Sequence, residues 1–80
     1  MSKRPYPSHE ELEVLYAERE AAVAALGAKG RIEVADLTSL DRYGRCKVAN
    51  EHWGICDASA RHALLNDKHH FVRSCASLAT

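Results

Sequence analysis

The sequence predicts an all-α fold, a small helical domain in which a long N-terminal helix packs on two short helical hairpins. Three observations carry that expectation. Apolar side chains recur every three to four positions through most of the chain. Residues that cap helices stand where the periodic runs begin. After Gly30 no long stretch alternates apolar and polar residues as a half-buried strand would. At 80 residues the chain holds one domain at most.

Residues 1–7 carry two prolines in three positions and predict an extended lead-in to a single helical domain over 8–80. Ser8-His9-Glu10-Glu11 has the form of a capping box and opens the first helix. Acids in that first turn suit the positive end of the helix dipole. The helix is expected to reach Leu26 and stop at Gly27, with Gly30 a second stop signal. Residues 31–37 alternate briefly at Ile32 and Val34, and are read as a short helix. Thr38 or Ser39 is expected to cap a helix from Leu40 to about Glu51, which Trp53-Gly54 ends. Asp57 caps Ala58 to Leu65, Asn66-Asp67-Lys68 makes a turn, and a last helix covers His70 to Leu78.

Charge excludes more than it identifies. Eleven Lys and Arg balance eleven Asp and Glu, so no overall field holds this chain on nucleic acid or an anionic membrane. Acids gather in the first helix at Glu10, Glu11, Glu13, Glu18 and Glu20, while the second half is mildly basic and carries four of the five histidines. That asymmetry predicts one acidic and one basic side. Nothing approaches the ~20 apolar residues of a membrane span, and Met-Ser-Lys-Arg-Pro lacks the apolar core of a secretion signal. With an odd three cysteines, the expected setting is cytoplasmic and thiol-reducing.

The first helix has two faces. Leu12, Leu15, Tyr16, Ala22, Val23 and Leu26 form a core-seeking stripe, interrupted by Arg19. Opposite lies a band of small residues, Val14, Ala17, Ala21 and Ala25, which reads either as a solvated helix face or as the seam of a homodimer.

Sliding the chain by twenty-eight positions sets Leu37 on Leu65, Tyr43 on Phe71, Arg45 on Arg73 and Val48 on Ala76. Each unit reads as a helical hairpin whose arginine reaches the turn carbonyls or an acid of its neighbour. The stretch Leu64 to Ala76, with its leucine, turn aspartate and Val72-Arg73 pair, resembles a leucine-rich repeat variant or HEAT-like helical repeat over residues 32–78. The first copy departs from the pattern at Gly44 and no third copy exists, so the N-terminal helix would supply the missing layer. The resemblance implies a protein-binding scaffold. Some leucine-rich repeat variants carry an iron–sulfur cluster, but the clustered cysteines for one are missing here.

Cys46, His52, Cys56 and His62 are spaced C-x5-H-x3-C-x5-H and are competent zinc ligands. Tight ligand pairs are absent, however, and Cys46 and Cys75 sit where helices want small buried residues, which suits a core. Cys56-Asp57 with His62, or Ser74 or Cys75 with His70, can be drawn as nucleophile–base pairings, but no glycine elbow supports either, and only Cys56, just before a helix start, has a position that favours a thiolate. No enzyme and no cofactor is expected. His52, His62, His69 and His70 read as turn histidines or as a pH-sensitive basic half.

A nucleic-acid reading would pair the helices at 57–65 and 70–78 as a helix-turn-helix, but their linker is long and lacks its glycine. Trp53 suits either a core plug or an exposed anchor. The function expected is therefore a protein–protein interaction module, a regulator or inhibitor of the kind phages and mobile elements encode. A homodimer is a further option. Its partner contacts are expected at Tyr43, Arg45, Trp53, Phe71 and Arg73.

Overall fold

The structure, a computed structural model, describes residues 8–80. The lead-in expected over 1–7 lies outside them. Ser8 opens the first helix as its sequence predicts: the hydroxyl accepts the Glu11 N–H at 3.1 Å. Helix α1 then runs His9–Lys29, past the expected stop. A Cβ at Gly27 would sit 2.6 Å from the His52 ring, so this glycine serves a close approach inside the helix. Gly30, at φ 81°, is the left-handed cap that ends it.

The ambiguous stretch after Gly30 divides. Ile32 forms an isolated parallel bridge with Cys56, its N–H donating to the Ile55 carbonyl and its carbonyl accepting from Asp57, each at 2.9 Å. Two residues later α2 covers Val34–Thr38, opened by a reciprocal box between Glu33 and Asp36. The next cap is Asp41, in place of Thr38 or Ser39. Its carboxylate accepts the Gly44 N–H at 2.8 Å and starts α3, Arg42–Glu51. The Thr38 and Ser39 hydroxyls instead donate backwards to the Ala35 and Asp36 carbonyls, closing α2. A 3-10 turn at Trp53–Ile55 ends this pair. Asp57 caps α4, Ala58–Leu65, and His69 caps α5, His70–Ala79. Among the described residues there is no strand.

Direction follows from which residues meet. Along α1 and α3, Arg19 meets Asp41, Glu20 meets Lys47 and Gly27 meets His52, so the two helices run the same way. Arg42 lies by His69 and Cys46 by Cys75, which orients α5 alike. Helices α1, α3 and α5 thus form one layer, all running the same way, and α2 packs on α4 behind it.

The core lies between the layers: Ile32, Val48, Ala49, Ala60, Leu64, Val72 and Ala76 have no exposed surface. Burying a side chain such as Leu64 stabilises the fold by about 2–3 kcal/mol. Small residues at 49, 60 and 76 let the helices close on the larger ones. Helix α1 contributes Val23 as its one buried residue. Its middle meets the body, where Leu15, Glu18 and Arg19 border a hollow shared with Ser39, Leu40 and Asp41, and the acidic residues 9–14 lead into it.

Candidate binding surface

Because α1, α3 and α5 run the same way, the middle of α1 around Arg19 shares a surface with the first turns of α3 and α5. Arg19 occupies a stripe position that an apolar residue would normally fill, and the structure gives the reason. Its guanidinium holds the Asp41 carboxylate at 3.0 Å and lies over two rings, Tyr16 at 5.4 Å and Tyr43 at 4.9 Å. Arg42 lies over the Tyr43 ring too, at 4.9 Å, and donates to its hydroxyl at 3.1 Å. Beyond Arg42, on α5, the rings of His69, His70 and Phe71 stack with centroids 4.8 to 5.9 Å apart.

Cations and rings therefore alternate from α1 across α3 to α5. Each guanidinium over a ring contributes about 0.5–1 kcal/mol at an exposed site. Asp41, Arg42, Tyr43, Arg45, Lys68 and His69 line an open hollow in the middle of this ledge. Tyr43 is 45% and Phe71 56% exposed, high values for large aromatics.

Beneath the ledge a second arginine locks the helices. Arg45 donates to the Asp67 carboxylate at 2.7 and 3.2 Å and to the Leu40 carbonyl at 2.9 Å, with 14% of the Arg45 side chain and 10% of the Asp67 side chain exposed. Arg73 donates to the Asp67 carbonyl at 2.6 Å. Both reach turn carbonyls, and Arg45 also reaches the acid of the next helical pair.

Burial acts to raise the Asp67 carboxyl, but the Arg45 hydrogen bonds and the His69 N–H outweigh it and hold the group below its ordinary value. Asp41 is held low by the same balance, against burial, through Arg19 and the Gly44 N–H. His69 is shifted downward by burial and then by Arg42 and His70, which keeps its Nδ1 able to accept the Phe71 N–H at 3.2 Å.

The expected partner residues separate. Tyr43 and Phe71 stand on the ledge, and exposed Arg73 braces the turn beside it. Arg45 is committed to its ion pair. Trp53 lies past the far end of α3, half-buried against the core, with Arg61 over its ring at 5.6 Å and donating to its carbonyl at 3.1 Å. Arg19, Arg42, Lys68 and His69 complete the surface. Their signal in the sequence was the charged residue inside the α1 stripe and the adjoining basic and aromatic residues at 42–43 and 68–71.

The metal quartet does not assemble. Cys46 faces Cys75, buried Cys56 directs its thiol to the His52 carbonyl at 3.4 Å, the His52 ring packs on Gly27, and His62 is exposed on α4. Among the described residues no three His, Cys, Asp or Glu side chains gather as a metal site. Burial, and after it the neighbouring Cys75, pushes the Cys46 thiol up to about 11; burial also raises Cys56. Neither is an activated nucleophile.

Val14, Ala17, Ala21 and Ala25 are all exposed on the outer side of α1. No described helix is long and apolar enough to cross a membrane. No protein-family model, curated protein or solved structure matches the chain.

Proposed function

We propose that this chain is a protein–protein interaction module, a cytoplasmic regulator or inhibitor that occupies an acidic surface of its partner through the ledge. The observation that carries this reading is the exposure of Tyr43 and Phe71 at one end of the fold, flanked by Arg42, Lys68 and Arg73. Rigid aromatics beside arginine are the residues that most often anchor protein interfaces. Here their backbones are fixed by capped helices, so little ordering is needed on binding.

Alternating rings and cations also suit single-stranded nucleic acid. Against that reading, eleven Lys and Arg are balanced by eleven Asp and Glu, which leaves no excess positive charge to hold a phosphate chain.

A photoreactive phenylalanine at Tyr43 or Phe71, introduced in the native host, tests the proposal. Discrete protein adducts from both positions, absent when the probe replaces Ala25, are expected. Nucleic-acid adducts, or equal protein adducts from all three sites, contradict it.

A further inference from the structure

The acidic start of α1 is the counterpart of the ledge. Residues 9–14 form an arm roughly 9 Å long at the helical rise of ~1.5 Å per residue. Half-buried Leu12 with Leu15 and Tyr16 continues the stripe that buries Val23 towards the start of the helix. Leu15 is 46% and Tyr16 52% exposed, at the place where Leu15 borders Leu40 and Asp41 and the Arg19 guanidinium lies over the Tyr16 ring. Glu10, Glu13 and Glu18 border this stripe, and residues 9–18 contain no lysine or arginine. Apolar centre and acidic margins are what the ledge, with its rings and its Arg42 and Lys68, would accept.

The arm cannot fold back onto its own ledge, because α1 is one unbroken helix running away from it. A second copy removes that obstacle. We propose that the chain forms a twofold dimer in which the arm of each copy lies on the ledge of the other, the two arms passing antiparallel. With arms overlapping over their length, the tip at Glu10 and Glu13 reaches Arg42 and Lys68 of the second copy. The neutral total charge, split into an acidic arm and a basic ledge, makes the surface self-complementary. A stable interface needs about 1,200 Å² buried in total, and the symmetry counts each arm-on-ledge contact twice. This inference rests on reading the ledge as a protein-binding surface, and names its occupant.

Sedimentation of the full chain is the test, with circular dichroism to check that each variant keeps its helices. The wild type is expected to be dimeric, dissociating as salt rises. Glu10→Lys with Glu13→Lys, and separately Arg42→Glu with Lys68→Glu, should each weaken self-association at least tenfold. Mixing these two charge-reversed proteins should restore a dimer, because each arm then meets a ledge of opposite sign. A monomeric wild type up to about 1 mM overturns the proposal. So does a dimer that survives the ledge substitutions, or a mixture that stays monomeric. A monomer together with protein adducts at Tyr43 and Phe71 defeats only the second-copy assignment; absence of those adducts defeats the ledge itself.

Discussion

Arg45 and Asp67 join the two helical pairs through two hydrogen bonds, at 2.7 and 3.2 Å, in a place where only 14% and 10% of their side chains remain exposed. The same guanidinium satisfies the Leu40 carbonyl, and the same carboxylate accepts the His69 N–H at 2.9 Å. Removing Arg45 leaves a largely buried carboxylate with one backbone donor. Arg45→Ala should therefore cost about 2–3 kcal/mol, read as a lower urea midpoint with an unchanged slope. An Arg45→Ala variant as stable as the wild type would remove this contact from the account.

Acid should loosen the same region. Asp36, Asp41 and Asp67 all have folded values below the ordinary carboxylate range. Asp36 owes this first to Lys29, whereas Asp41 and Asp67 owe it to arginine partners that outweigh burial. A carboxylate lowered in the folded state stabilises it fully above the unfolded value of roughly 3.9, and that stabilisation is lost as pH falls through the folded values. Stability should thus drop below about pH 4, and Arg45→Ala should flatten that drop. Urea unfolding at pH values between about 2 and 6 measures both.

His69 gives a separate acid-sensitive step. Its neutral Nδ1 accepts the Phe71 N–H, and protonation removes that acceptor. Because its folded value is lowered, this cap is intact above the unfolded histidine value of about 6.5 and is lost as pH falls through the folded one. Nuclear magnetic resonance should show His69 titrating below 6.5, with the Phe71 amide moving in step. His69→Asn should abolish the movement.

Gly27 and His52 form a steric pair. Gly→Ala inside a helix ordinarily gains about 0.5–1 kcal/mol. Here the new Cβ would lie 2.6 Å from the His52 ring. Gly27→Ala should forfeit that gain in the wild type and recover it in a His52→Ala background, a coupling that a double-mutant cycle reads directly.

How much could be read from the sequence varied with the range of the interaction. Asp57 and Ser8 cap the helices they were expected to cap, because a side chain bonding three residues on is a local event. Gly27 misled because its reason, the His52 ring, lies twenty-five positions away in the chain. Thr38 and Ser39 misled because hydroxyls bond backwards or forwards with similar ease, and Asp41 is the better acceptor.

At the surface, Tyr43 and Phe71 were visible as an internal echo, but their nearness depends on α3 and α5 running in parallel. Arg19 looked like a flaw in the α1 stripe until Asp41 and the two tyrosine rings were brought against it. The Cys46/His52/Cys56/His62 spacing looked like a ligand set, and helical geometry scattered it.

The meeting of mid-α1 with the starts of α3 and α5 is what makes the ledge one surface, and the Tyr43 ring, with the Arg19 and Arg42 guanidiniums each 4.9 Å from its centroid, reports on that meeting. Proton chemical shifts of the two arginine side chains measure it. Both sets of δ-methylene protons should lie upfield of their unstructured positions and show contacts to the Tyr43 ring; in Tyr43→Ala those of Arg42 should return to the unstructured positions and those of Arg19 should move towards them, the Tyr16 ring keeping part of the shift. Ordinary, ring-independent shifts for Arg19 and Arg42 would mean that these segments do not meet there.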